Sequence, residues 1–297
     1  MGAIKRENIA EAAEACLVRA GTSFRPDQAR AYERAIAEET NPHARWVLEG
    51  VLENARVAAR NVAPLCDDSG IPHLIIRLGQ EAELPPDWLS QVHQGVAQGL
   101  RIMPGRPMAV KGDAIQRIEQ SQGLHDDPSA MLPAPAMVEP CKGTELEISV
   151  LLLGGGPEIR ARTRRIFHKR SAENVFKQAA SWTAEEVQSL GCTPTVVALG
   201  VGRSHQEASA LMLQAMRDGD FDRQDRWERL VTDTINQTGV GPLGLGGSHT
   251  CLATFMRIGP QRASGVRIVC MRPGCCFEPR KATVRVDSAA WRFDKPE

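Results

Sequence analysis

Three observations predict an α+β fold in which a mixed β-sheet is flanked by helices and preceded by a helical N-terminal block. The first 63 residues carry apolar side chains at helical spacing between proline starts. The second half alternates short apolar, β-branched runs with amphipathic stretches. The length, 297 residues with 42% hydrophobic, is enough to bury a sizeable core. One domain over residues 1–297 is expected, with residues 1–63 as its helical segment.

Within that segment Ile9, Ala12, Ala13 and Cys16 share one helical face, Pro26-Asp27 opens a second helix, and Pro42 opens a third carrying Trp46, Val47, Val51, Leu52 and Val57. Pro64 ends the block, and Leu65-Cys66-Asp67-Asp68-Ser69-Gly70 turns the chain into a strand over 71–78. Pro86-Asp87 starts a helix whose apolar side is Trp88, Leu89, Val92, Val96 and Leu100. Residues 101–140 read as an extended excursion, with four prolines from Pro128 to Pro140. A strand over 145–153 then runs into Gly154-Gly155-Gly156. Thr183 and Glu186 suggest a capping box opening a short helix over 183–190. After Gly191-Cys192-Thr193-Pro194 comes a strand over 195–201, then a helix capped by Ser204 with Glu207. The glycine-rich stretch 239–247 precedes a strand over 252–258, and the last strands are expected over 266–271 and 282–287.

Composition excludes several functions. Lys+Arg and Asp+Glu are both 36, so the surplus of cations that phosphate binding needs is absent and nucleic acid is not the expected partner. No apolar run approaches the roughly 18 residues of a membrane span, and the charged N-terminus lacks a signal-peptide core. A cytoplasmic protein is expected. The eight cysteines then read as thiols rather than disulfides. No CxxC pair exists, which counts against a zinc ribbon or thioredoxin-like site and leaves open a cluster built from distant cysteines.

Three places stand out. Cys66, Cys192 and the pair Cys275/Cys276 each precede a strand beside Gly or Pro, where a loop can aim a side chain from a rigid scaffold. Gly154–Gly156 and Gly239–Gly247 read either as anion cradles or as tight turns that need positive φ. His249 is either a titrating group or a hydrogen-bonded structural residue. Arg101 and Arg280 flank these turns and offer forks for carboxylates.

In order, these pieces resemble the iron–sulfur class I fumarase and L-tartrate dehydratase family, in its α-subunit or N-terminal part. Pro64-Leu65-Cys66-Asp67-Asp68-Ser69-Gly70 is similar to the family's Pro-x-Cys-Gln-Asp-Thr-Gly. Leu100-Arg101, the Gly154–Gly156 triplet, Cys192-Thr193-Pro194 with Gly200-Val201-Gly202, Gly239-Val240-Gly241…Gly246-Gly247, and Cys276-Phe277-Glu278-Pro279-Arg280 follow the family's sequence of motifs. The resemblance implies a hydro-lyase. It implies a [4Fe-4S] cluster on Cys66, Cys192 and Cys276, with Cys270 and Cys275 as rival third ligands, and substrate contacts from Asp67, Asp68, Arg101 and the Gly155 backbone. The substrate would be a small hydroxy-dicarboxylate such as malate or fumarate, tartrate, or a relative. The proton-abstracting base would come from a separate β subunit in a dimer or heterotetramer. A non-catalytic iron–sulfur or iron-sensing protein on the same fold is the alternative.

Two departures bear on the substrate. Asp67 stands where the family has Gln and would repel a dicarboxylate unless neutralised. Ser248-His249 stands where the family has Lys, exchanging a fixed charge for a titratable one.

Overall fold

The computed structural model describes residues 2–294. In chain order the elements are α1 (Arg6–Thr22), α2 (Pro26–Glu38), α3 (Pro42–Asn61), β1 (Ile71–Gly79), α4 (Trp88–Ile102), α5 (Ala114–Glu119), β2 (Met137–Cys141) and β3 (Leu146–Leu153). There follow α6 (Gly155–Glu158), β4 (Arg162–Phe167), α7 (Ala172–Val187), β5 (Thr195–Gly202), α8 (His205–Asp218), α9 (Arg226–Asn236), β6 (Cys251–Ile258), β7 (Val266–Gly274), β8 (Arg280–Val286) and β9 (Trp291–Phe293). The α+β class is as expected, but the strands form two sheets rather than one. The chain divides into two compact units, one of residues 1–24, 55–153 and 280–297, the other of 25–54 and 154–279.

The first unit holds the sheet β2-β1-β3-β8-β9, antiparallel except for β1 with β2. β1, α4 and β2 make a strand–helix–strand crossover, the connection a parallel pair requires. All eight residues of β3 are buried, which explains its near-continuous apolar run. Its one acid, Glu147, is paired with Arg77 at 3.4 Å and Arg285 at 3.2 Å. Leu146, Ile148, Val150 and Leu152 join Ile9, Ala13, Leu17, Val92, Val96 and Val284 in a core under α1 and α4. The two helices touch where Gly95 leaves room for the Ala10 carbonyl, 2.1 Å from where a Cβ would stand.

The second unit holds the sheet β4-β7-β5-β6, in which only β5 and β6 are parallel. β5 is buried along its whole length because helices cover both faces. Val197, Leu199 and Val201 pack with residues of α7 and α9, while Val196 packs with Ala31 of α2 and Ala215 of α8.

Three parts of this unit depart from the sequence reading. The helix expected over 183–190 is the end of α7, capped twelve residues earlier by Ser171, whose Oγ accepts from the Asn174 N–H. Thr183 is fully buried and donates to the Ala179 carbonyl instead of capping. The basic stretch after the glycine triplet contains an edge strand, β4, whose arginines project from a strand exposed on one side. Helix α9, with its Asp225 capping box, was not expected.

Candidate functional site

In the first unit, the Cys66 turn is fixed from both ends. Leu65 is buried and donates its N–H to the Gly21 carbonyl at 2.9 Å. Asp68 Oδ1 accepts the Gly70 N–H at 2.9 Å, an Asx turn that lets Gly70 take φ +78°. The Asp68 carbonyl accepts from Arg280 Nη1, and a Cβ on Gly70 would lie 2.6 Å from Arg280 Nη2. Arg280 is 2% exposed, and its Nε has no hydrogen-bond partner among the described residues; the same holds for the buried Ser69 Oγ. The turn therefore rests on a buried cation. Cys66 itself is half-buried, its Sγ 3.5 Å from Asp67 Oδ1.

Of the two arginines singled out in the sequence, Arg280 lies under this turn, whereas Arg101 is paired elsewhere. Arg101, in the last turn of α4, is half-exposed and forks onto Asp127, with Nη2–Oδ2 at 2.7 Å. That contact, with the Ser129 hydrogen bonds, holds the Asp127 carboxyl far below the usual range. Arg106 instead lies 3.2 Å from Asp67, and a Cβ on neighbouring Gly105 would lie 2.1 Å from Ser69 Oγ. The pair is well exposed, so it neutralises Asp67 without adding much stability. Arg106 was legible only as a basic residue after α4; its approach to Asp67 depends on how the segment after that helix folds back.

In the second unit, Cys192 and Cys276 are brought together: the Cys276 N–H donates to the Cys192 carbonyl at 2.9 Å. Threonines knit the surrounding turns. Thr193 Oγ1 donates to the Gly241 carbonyl at 2.6 Å, the Gly241 N–H donates to Thr250 Oγ1 at 2.9 Å, and Thr195 Oγ1 donates to the Gly274 carbonyl at 2.6 Å. Cys192 is exposed, whereas Cys275 and Cys276 are 8% and 6% exposed. Cys270 sits opposite Gly200 in mid-strand β7, where burial raises its pKa, and so is held away from this turn.

Helix α2 supplies support that the sequence reading missed. Tyr32, the chain's only tyrosine, is fully buried and donates to the Cys276 carbonyl at 2.5 Å. Gln28, one turn earlier and 1% exposed, donates to the carbonyls of Phe277 and Glu278 at 3.3 and 3.2 Å. A glutamine and a tyrosine four apart on the alanine face of α2 were the available signal, since buried polar groups need partners.

The glycine triplet lies in the same unit. The Gly154 N–H donates to Glu278 Oε1 at 2.8 Å, and the Gly154 carbonyl accepts from Arg272 Nη2 at 3.1 Å. The Gly239–Gly247 turn uses its freedom for close approach: Gly241 has φ +67°, and a Cβ there would lie 1.9 Å from the Gly246 carbonyl oxygen. His249 is structural here. Its Nδ1 is 3.1 Å from Glu39 Oε2, which also accepts from the Ser248 N–H at 2.9 Å and Oγ at 3.1 Å.

No disulfide joins any of the eight cysteines. Among the described residues no group of three His, Cys, Asp or Glu side chains could hold a single metal ion, and no helix is long and apolar enough to cross a membrane. The first unit thus offers a thiol and two carboxylates on one turn with the Arg106 guanidinium beside it, and the second a pair of thiols on joined turns.

Comparisons with known proteins give these turns a context. The model of the fumarate hydratase (Fumerase) family matches residues 10–285. A protein named putative L(+)-tartrate dehydratase subunit alpha, from Methanocaldococcus jannaschii, is 23% identical over 282 residues, covering 91% of this chain and 95% of that protein. The L(+)-tartrate dehydratase subunit alpha of Escherichia coli K12 is 22% identical over 256 residues, covering 84% and 80%. That of Shigella sonnei matches to the same extent. With the family model spanning nearly the whole chain and the motif turns in place, the chain belongs to the class I fumarase and tartrate dehydratase alpha family of hydro-lyases.

Proposed function

We propose that this chain is the cluster-holding α subunit of an enzyme that removes water from, or adds it to, a small hydroxy-dicarboxylate, and that a β subunit completes the site. The observation that carries the reading is the backbone bond that joins the Cys192 and Cys276 turns, on a scaffold fixed by threonines and Tyr32. Cys66, half-buried on its own fixed turn, is the third ligand. This donor set of soft thiols suits a [4Fe-4S] cluster and offers nothing to a hard cation. Such a cluster, held by three thiolates, supplies an open Lewis-acidic iron for the substrate's hydroxyl.

The chain's own residues bind and orient. The Arg106 guanidinium, beside Asp67, is placed better than Arg101 to take a substrate carboxylate, because the Arg101 fork is filled by Asp127. Asp67, with Asp68 beside it on the turn, can accept a hydrogen bond from a second hydroxyl, which favours a tartrate-like substrate over fumarate. In dehydration the C–H proton leaves to a base, the C–O bond breaks, and a C=C bond and water result. That base is the contribution assigned to the β subunit.

Anaerobic reconstitution with iron and sulfide tests the proposal. Cys66→Ser, Cys192→Ser and Cys276→Ser should each lose most of the bound iron and the cluster's visible absorption. Cys251→Ser, at a buried strand position, should keep both. Retention of iron by all three site variants would refute the ligand set.

A further inference from the structure

Glu278 lies midway between Cys276 and Arg280, is fully buried, and belongs to none of the roles assigned above. Its carboxylate meets two groups. Oε1 accepts the Gly154 N–H at 2.8 Å, and both oxygens face Arg272, with Nη2–Oε1 at 3.2 Å and a closer contact from Nη1 to Oε2. Arg272 is equally buried. Its Nη2 donates to the Gly154 carbonyl at 3.1 Å and its Nε to Glu158 Oε2 at 3.0 Å. Burial alone would lower the Arg272 pKa; the charges of Glu278 and Glu158 overrule it and raise it.

One buried ion pair therefore touches both backbone polar groups of Gly154, holding its N–H and sharing its carbonyl with the Glu158 N–H at 3.2 Å. Because the peptide is planar, fixing the Gly154 carbonyl also fixes the direction of the Gly155 N–H. The carboxylate doing so sits two residues from Cys276, whose own carbonyl is tied to Tyr32. Taking two charges out of water is costly, and apolar residues of the same volume often stabilise a fold as well or better. Stability alone does not explain the pair; a requirement for geometry does.

We infer that Glu278 and Arg272 are positioning residues: the pair clamps the glycine turn at Gly154–Gly155 to the loop carrying Cys276, so that the Gly155 backbone is presented to the substrate's carboxylate in one orientation. The inference rests on the proposed function for the roles of Gly155 and Cys276. Gly274 is what admits the pair here, since a Cβ there would stand 3.0 Å from the Glu278 Cβ and 3.1 Å from its Oε2.

Two variants separate positioning from mere stability. Glu278→Gln leaves the Arg272 charge buried without its counterion and should lower the melting temperature. The double variant Arg272→Met/Glu278→Leu removes both charges and should recover much of that loss, yet it leaves the Gly154 N–H and carbonyl without side-chain partners. Each would be loaded with iron and sulfide, analysed for iron, and assayed with the β subunit on tartrate and malate. Amide exchange over residues 154–158 would be followed in the metal-free chain.

If the pair positions the turn, exchange there speeds up in both variants and KM rises roughly tenfold to hundredfold in both, the effect of losing a hydrogen bond to a charged group, with iron content near wild type. A KM that returns to the wild-type value as the melting temperature recovers would overturn the inference, as would unchanged exchange. A wild-type chain that turned over no dicarboxylate would refute the functional reading instead, and the exchange data would still accept or reject the clamp.

Discussion

Glu39 shows how a single residue is set by its surroundings. Its carboxylate is 1% exposed, and burial alone would push its pKa up. Donors from the Asn41 N–H, His249 and Ser248 reverse this and pull it down to about 2 from an ordinary 4.5. A depressed carboxyl contributes stability that is complete above its ordinary pKa and is lost as pH falls through the folded value. Wild-type thermal stability should accordingly drop between pH 4.5 and 2. Glu39→Gln should cost about 3 kcal/mol at neutral pH and flatten that acid limb; parallel melting curves against pH would reject this. The two arginines are a second case at this scale. Arg106→Ala should raise KM for a dicarboxylate roughly tenfold to hundredfold, and Arg101→Ala should leave it within about threefold. Steady-state kinetics on the complete enzyme decides between them, and the reverse pattern would return the role to Arg101.

Among the elements, the buried strands were the most legible. β3 and β5 are apolar along their lengths, and the run of Leu, Ile and Val left little choice. Helices opened by proline or capped by Ser204 were equally plain, and the Ser204 Oγ accepts the Glu207 N–H at 3.1 Å. α7 was misread because Thr183 and Glu186 imitate a capping box. Only the packing of Phe176, Ala179 and Ala180 against β5 and α9 shows that the helix runs through. Element packing also fixes Gly200 on β5, where a Cβ would lie 1.9 Å from the Ala208 carbonyl oxygen and 2.4 Å from the Met212 nitrogen of α8. These neighbours are all backbone of α8, which cannot give way as the end of a flexible side chain would. Gly200→Ala should cost about 3 kcal/mol or more, measured by chemical denaturation, whereas Gly50→Ala, on the exposed part of α3 with nothing near its Cβ, should be close to neutral or stabilising.

For the molecule as a whole, the chain's path is the telling feature. It leaves the first unit after residue 24, returns at 55, leaves again after 153 and returns at 280. The first unit's sheet is thus completed by the last strands: β8 pairs with β3, and Ala282, Val284 and Val286 fill the core beneath α1. A fragment of residues 1–153 lacks them and would expose β3, apolar on both faces, as an edge. It should show no cooperative thermal transition by circular dichroism; a sharp two-state melt would refute this account of the unit.

The sequence by itself determined the α+β class, the family, the three cysteine turns and most strand and helix positions, because those depend on local periodicity, turn residues and short motifs. Only the tertiary structure decided which arginine meets Asp67, that Cys270 is locked in mid-strand, that His249 is spent on Glu39, and that Tyr32, Gln28, Glu278 and Arg272 brace the Cys276 loop and the glycine turn. Each of these is a partner choice between residues far apart in the chain. Buried polar groups must find hydrogen bonds somewhere, but which distant group supplies them is fixed by packing, and no local pattern encodes it.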